Sequence, residues 1–344
     1  MGVKLKDISL AKPISFDDLR DKVLAVDAFN MLYQFLTTIR QPDGSLLVNA
    51  QGQVTSHLNG LFYRTTKLME MGAKLVFVFD GKPPVLKFGE ITRRAEKKRE
   101  ARSLHEDAVQ RGDIDAMKKY AGRTVTLSQE MIAESKELLE VLGVPFIQAP
   151  SEGEAQAAYL TKKGDAFAVV SQDFDSLMFG SVRLVRNLSI EGRRKRAGKL
   201  QYDFVLPEII ILEDVLRELG MGQDQLIVMG MLVGTDYNPG GIPGIGPKNA
   251  LKWVKNEKDF DILFEKVKWK EHFEVGWREV FETFKEIPVT SDYELRWRTP
   301  DVGKLRELLV EKHSFSAERV DQKLQRFVKE YQSKEQKGLG QWCG

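Results

Sequence analysis

The sequence predicts an α/β fold, a mostly parallel sheet with helices on its faces, and three observations predict it. Short β-branched runs alternate with amphipathic stretches through the first half of the chain. Acidic residues fall at or just past the ends of those runs, where open α/β sheets bind ligands. With 344 residues the chain can bury one large α/β body with insertions, or two ordinary domains, without disulfide staples. In order, strands are expected at Val23 to Val26, Leu75 to Phe79, Val144 to Ile147, Phe167 to Val170 and Val182 to Val185. Each is a short apolar run rich in Val, Ile and Phe. Helices fit at His57 to Met71, Ile91 to Gln110, Asp113 to Tyr120, Ser128 to Leu142 and Glu152 to Lys163. The last is opened by Ser151 and Glu154 in capping-box spacing. The basic, weakly apolar stretch from Lys82 to Ala121 suits no core and reads as a helical insertion over the sheet edge. Beyond Gln223 the chain reads as helical, and from Lys329 onward it turns polar.

Composition narrows the chemistry. Residues that are 42% hydrophobic and 30% charged, with 52 Lys and Arg against 50 Asp and Glu, describe a folding chain. No run approaches a membrane span, and the first six residues lack the apolar core of a signal peptide, so no membrane association and an intracellular location are expected. Cys343 is the only cysteine, which excludes a disulfide framework and a Cys-based zinc site. His57, His105, His272 and His313 are scattered and give little material for a histidine-led site. Carboxylates must carry any catalysis. Lys82 to Arg102 holds eight Lys or Arg against three Glu, and Arg193-Arg194-Lys195-Arg196 is a second basic run. Either run alone also suits a solvated face.

Asp27 ends the first strand and Asp80 the second; Glu152 and Glu154 follow the third, and Asp173 and Asp175 the fourth. Each acid alone also suits a helix cap or first turn. Six together would repel one another strongly, and divalent cations remove that conflict. Oxygen donors without His or Cys suit Mg²⁺, with Mn²⁺ able to substitute. More than four carboxylates argue for two ions, which about 3.5 to 4 Å apart stabilise the attacking and leaving oxygens of a phosphodiester displacement. A seventh acid, Asp236, follows the apolar helix Leu226 to Val233. Just beyond lies Gly244-Ile245-Gly246-Pro247-Lys248. Gly244, Gly246 and Lys248 there let backbone N–H groups approach phosphate oxygens without reading bases. The phosphate-loop spacing is absent.

Val26-Asp27-Ala28, Tyr33-Gln34-Phe35-Leu36, Phe62-Tyr63-Arg64-Thr65, Val78-Phe79-Asp80-Gly81-Lys82-Pro83-Pro84, Ala149-Pro150-Ser151-Glu152-Gly153-Glu154-Ala155 and Gly244 to Lys248 occur in this order. Together they resemble the flap endonucleases, structure-specific 5′ nucleases of archaea and eukaryotes, over essentially the whole chain. The resemblance implies a modified Rossmann-like (PIN-like) α/β fold with a helical arch and a helix-hairpin-helix-type DNA-binding motif. It implies an N-terminal nuclease region (1–98), part of the arch (99–115), an internal nuclease region (116–258), C-terminal helices (259–328) and a tail (329–344). It places Asp27, Asp80, Glu152 and Glu154 in a first Mg²⁺ site and Asp173, Asp175 and Asp236 in a second. Lys87 and Arg94 would steer the scissile phosphate, Tyr33 would stack on the neighbouring nucleotide, and Arg40 and Arg64 would face the duplex and a one-nucleotide 3′ flap. Gly2 would be a mature N-terminus near the site. Gly153 stands where the family often has Ala, and Gln172 where it often has Glu; neither removes a ligand.

The tail 336–344 resembles a sliding-clamp (PCNA) docking motif carried by Gln336, Leu339 and Trp342, with Cys343 where a second aromatic is usual. The expected protein is therefore a monomeric, Mg²⁺-dependent 5′ flap endonuclease and 5′-3′ exonuclease. It would act on flap or nicked DNA in Okazaki-fragment maturation and long-patch base-excision repair, in the cytoplasm or at the nucleoid of an archaeal cell. A related 5′ nuclease acting on bubbles or duplex ends, an Asp-nucleophile phosphohydrolase and a non-catalytic, clamp-associated DNA-binding protein are the alternatives.

Overall fold

The computed structural model describes residues 10–188, 193–195, 202–204 and 206–340. Met1, Gly2, Arg196, Trp342 and Cys343 lie outside the described residues. The sheet begins with a two-residue edge strand, β1 (Lys12–Pro13), and its centre is laid down next by β2 (Val23–Asp27) and β3 (Lys74–Phe79). β4 (Phe146–Gln148), β5 (Ala168–Val170) and β6 (Arg183–Arg186) extend it. β7 (Arg193–Lys195) and β8 (Tyr202–Phe204) pair separately as a two-stranded ribbon, and β9 (Glu208–Ile211) returns to the main sheet. The seven-stranded order is β1-β9-β6-β5-β2-β3-β4. β4, β3, β2, β5 and β6 run parallel, while β9 lies antiparallel to β6 and to β1. The predicted parallel strands are all present, within one or two residues at their ends.

Register makes one rim of this sheet. Val26 pairs with Phe77 on one side and Val170 on the other, Asp27 with Val78, and Phe79 with Gln148. The carboxyl ends of β2, β3 and β5 therefore stop at nearly one level. The chain moves outward from β2 to β3 and β4, then returns to place β5 on the other side of β2, which makes this rim the topological switch point.

Both faces of the parallel strands are covered, so their sequences read as near-continuous apolar runs. Ala25, Val76, Val78, Val169 and Leu184 point to one core, and Leu24, Val26, Phe77, Phe79, Val170 and Val185 to the other. The second core is closed by α1 (Ala28–Thr38), α2 (Ser56–Glu70) and, beyond α3 (Phe88–Gln110) and α4 (Ile114–Ala121), by α5 (Gln129–Val141). The first is closed by α6 (Gly153–Lys163), α7 (Asp175–Met178), α8 (Leu212–Leu219), α9 (Gln223–Val233) and α10 (Pro247–Asn256). α11 (Phe260–Lys266), α12 (Trp269–His272) and α13 (Trp277–Glu286) complete it through Trp269 and Phe284. α14 (Val302–Arg306), a π-helical stretch at Glu307–Lys312 and α15 (Ala317–Gly340) return to the second core through Leu305, Leu309 and Phe327. Full burial of each such side chain contributes about 1.5 to 3 kcal/mol.

α3 differs from every other long helix. Over 23 residues it buries only Glu90, Ala101 and Ala108, and its neighbour is α4 rather than the sheet. It is a solvated basic helix, as its sequence predicted, and it starts at Phe88 instead of Ile91. The hinge at α6 corrects a second expectation. Glu152, not Ser151, is the N-cap residue of α6, and no side chain of its own segment caps it. Ser151 donates instead to the Lys82 carbonyl at 3.1 Å, and Asp80, arriving from β3, accepts from the Gly153 N–H at 2.5 Å. No described helix is long and apolar enough to cross a membrane.

Candidate active site

The carboxyl rim of the sheet collects the predicted acids from five different turns. Asp27 ends β2 and caps α1, accepting from the Asn30 N–H at 3.0 Å. Asp80 follows β3 and sits on the N-terminus of α6, where a helix dipole favours an anion. Asp80 packs directly against Gly153, where a Cβ would stand 2.7 Å from Asp80 Oδ1 and move that side chain slightly. Glu152 and Glu154 open α6, Asp173 and Asp175 lie between β5 and the start of α7, and Asp236 lies in the turn after α9. Asp27, Glu152 and Asp175 are only 7%, 7% and 8% exposed.

Three residues that the sequence did not single out tie this cluster together. Ser171, one residue past β5, donates within reach of Asp27 Oδ2 at 3.2 Å and Glu154 Oε1 at 3.1 Å, and its oxygen accepts from the Asp173 N–H at 3.2 Å. Asn30 donates from Nδ2 to Asp173 at 3.0 Å and accepts the Gln172 N–H at 3.2 Å. Glu90, 2% exposed on α3, takes Arg93 and Arg94 together, Arg94 Nε at 2.7 Å. Asn30, three residues after a capping acid, and Glu90, three and four residues before Arg93 and Arg94 on the same helix, carried local signals. Ser171 acts through distant elements.

Lys87 and Arg94, expected at the scissile phosphate, reach the acids. Lys87 Nζ bonds Glu152 and lies 3.3 Å from Asp236 Oδ2, and Arg94 donates to Asp236 Oδ1 at 2.5 Å. Burial alone would lower the Lys87 pKa, but Glu152 and Asp236 outweigh it and hold the ammonium charged. Burial raises the carboxylates: Asp27 to about 8, with Asp80 and Asp173 adding repulsion. Glu154 is pushed well up by burial and by Asp175, Asp27 and Asp173. Burial also raises Asp80 and Glu152, with Lys87 opposing it in both. Tyr237 lies buried beneath them, its phenol raised by burial and by Glu152, Asp175 and Asp236. Among the described residues no group of three or more His, Cys, Asp or Glu is already drawn together as a ligand set; Lys87 and Arg94 hold Glu152 and Asp236 instead. The donors themselves are all oxygen, largely buried and mutually repelling. They fit a hard divalent cation and no soft one.

The remaining predicted residues divide. Tyr33 is half-buried on α1, with Lys98 Nζ 5.1 Å from its ring centroid and 3.5 Å from its hydroxyl. Arg40 donates to the carbonyls of Thr37, Gly44 and Ala121 at 3.2, 2.7 and 3.1 Å, so its guanidinium ties the end of α1 to α4. Arg64 is half-buried on α2, whose Asn59 and Tyr63 line a cavity of about 710 Å³ with His313, Arg319, Lys323 and Arg326. Gly244, with φ +78°, and Gly246 are exposed with open space over both, and Gly246 caps α10, with Pro247 in its first turn and Lys248 exposed beside it. Gln336 and Leu339 lie on the last turns of α15; Trp342 lies outside the described residues.

Two family models match the chain, the XPG N-terminal domain over residues 1–101 and the XPG I-region over residues 143–236. Flap endonuclease 1 of Aeropyrum pernix is 50% identical over 350 residues, covering 100% of both chains. Flap endonuclease 1 of Thermofilum pendens is 51% identical over 347 residues, again covering 100% of both. Among solved structures, flap endonuclease-1 from Methanococcus jannaschii superposes with a TM-score of 0.76 at 38% identity, covering 97% of this chain and 100% of that one. The catalytic core of Rad2 in complex with DNA substrate superposes at 0.68 with 26% identity, covering 95% and 100%.

Proposed function

This chain belongs to the flap endonuclease family, and from that premise we propose that its carboxylate rim hydrolyses the phosphodiester at the base of a DNA 5′ flap with two Mg²⁺ ions. The observation that carries this reading is the gathering of seven acids on one rim with Lys87 and Arg94 laid among them. Asp27, Asp80, Glu152 and Glu154 would hold one ion and Asp173, Asp175 and Asp236 the other, with Mn²⁺ an acceptable substitute. When bound, such ions supply Lewis-acid stabilisation of the attacking and leaving oxygens.

The chain's own groups do the rest. Asn30 and Ser171 fix the orientation of Asp27, Glu154 and Asp173 by hydrogen bonds that a rotated carboxyl would lose. Lys87 and Arg94 leave Glu152 and Asp236 to meet the scissile phosphate, and Glu90 keeps Arg94 aimed while it does so. Tyr33 turns its ring to the adjacent nucleotide once Lys98 moves aside. α3 and α4 form the arch over the passing 5′ strand, and the exposed N-terminus of α10 with Gly244, Gly246 and Lys248 holds the duplex backbone. Arg64 and the cation-lined cavity beside α2 receive the 3′ side of the junction, and Arg40, which ties the end of α1 to α4, faces the same duplex. Gln336, Leu339 and Trp342 dock on a sliding clamp (PCNA), and the enzyme works as a monomer in replication and repair.

Asp80→Ala tests the reading. Single-turnover cleavage of a 5′ flap should fall at least about 1,000-fold, while flap DNA still binds and the far-ultraviolet circular dichroism is unchanged. Loss of binding together with cleavage would make Asp80 a structural cap of α6.

A further inference from the structure

Phe88 opens α3 immediately after Lys87 with 50% of its surface exposed. Ile91, one turn on, is 38% exposed, and Val85, just before, 81%; of this segment only Leu86 packs on the core. Single exposed apolar side chains are ordinary, but three within seven residues, at the mouth of a carboxylate site, make a patch. At 100° per residue, Phe88, Ile91 and Lys98 share roughly 80° of arc, and Lys87 and Arg94 lie on the adjoining strip of the same helix. Lys98 marks where that arc faces, because its ammonium sits 5.1 Å from the Tyr33 ring. Lys98 thus lies between the apolar pair and the strip of Lys87 and Arg94, and it turns that part of the helix towards Tyr33 on α1.

An aromatic flanked by Lys87, Arg93, Arg94, Lys97 and Lys98 complements a chain of flat rings joined by phosphates. A duplex, with its bases stacked inside, offers it no ring face, and an apolar protein segment would leave the surrounding cations unmatched. We propose that Phe88, backed by Ile91, stacks on an unpaired base of the 5′ strand beside the scissile phosphate that Lys87 meets. This rests on the flap-cleavage reading above and adds a base contact to it.

The test compares wild type with Phe88→Ala, Phe88→Leu and Phe88→Trp. Binding and single-turnover cleavage are measured on a 5′ flap duplex, intact or with an abasic residue at one of the first unpaired positions. Phe88→Ala should weaken binding of the intact flap by about 5- to 100-fold. Phe88→Trp should restore it and Phe88→Leu should not, since Leu keeps apolar bulk without a ring face. An abasic residue at one position should weaken wild type by a similar factor and leave Phe88→Ala little changed. Equal binding by wild type and Phe88→Ala, or the same abasic penalty in both, overturns the stacking contact. A Phe88→Ala chain whose oligomeric state differs from wild type by size exclusion also overturns it, making the patch a contact between copies. A wild type that cuts no flap at all defeats the flap reading before Phe88 is tested.

Discussion

Lys87 shows how single residues set the chemistry on the rim. Its ammonium lies between Glu152 and Asp236, so it can transfer its charge to a phosphate that arrives there without moving the helix that carries it. Lys87→Ala should slow single-turnover cleavage about 100-fold and change flap affinity far less; an unchanged single-turnover rate would remove the role. Asp27 carries the clearest pH signature. Burial first, then Asp80 and Asp173, raise it from 3.8 to about 8 on folding. A carboxyl raised in this way holds its proton more tightly in the folded chain. It therefore favours the fold most at low pH, and that stability is lost as pH rises from 3.8 through about 8. Without divalent ions the Tm should fall across that window, and the rise in Tm on adding Mg²⁺ should grow with pH. Asp27→Asn should flatten the metal-free slope and shrink the Mg²⁺ effect in thermal melts; an unaltered slope would contradict the assignment. Six of the acids were legible in the sequence because each follows a strand end, and Asp236, in the turn after an apolar helix, joined them through the resemblance. Ser171 was not, since its partners lie on other elements, and Glu90 was passed over although Arg93 and Arg94 follow three and four residues on along the same helix.

Among the elements, α3 and α6 carry the site and their ends explain what could be read. β2, β3 and β5 are continuous apolar runs buried on both faces, which is why their positions were evident. β9 was missed because Glu208-Ile209-Ile210-Ile211 runs straight into α8 and looks like the start of that helix. α3 was expected to begin three residues late because exposed Phe88 contributes no core-facing period. The cap of α6 was misread because the capping acid, Asp80, comes from a distant strand. At the end of the π-helical stretch, His313 is 2% exposed with neither ring nitrogen hydrogen-bonded among the described residues. Beside it, His57 of α2 pairs with Glu134 of α5 at 3.0 Å. Burial lowers the His313 pKa, Lys312 and His57 act the same way, and Glu134 and Glu137 oppose them. A ring kept neutral by folding contributes stability above pH 6.5 that is lost as pH falls below it. His313→Phe should therefore flatten the acid limb of a Tm-against-pH profile; a parallel limb would show that His313 is not what titrates.

At the scale of the molecule, two cores hold a seven-stranded sheet while a basic helix with almost no core face reaches its acidic rim. The same chain places an exposed helix N-terminus at Gly246, ten residues after Asp236. On the proposed reading acids would hold metal, α3 would supply cations to the phosphate and backbone N–H groups would meet the duplex, so phosphate contacts would dominate and recognition would follow the shape of the junction. The most direct measurement is single-turnover cleavage of three DNAs sharing one duplex, ending in a 5′ flap, a blunt end or a bubble, each with Mg²⁺ and with EDTA. Rapid cutting of the 5′ flap, slower cutting of the other two and none in EDTA is the predicted result. Equal cutting of all three, or cutting that survives EDTA, would contradict it.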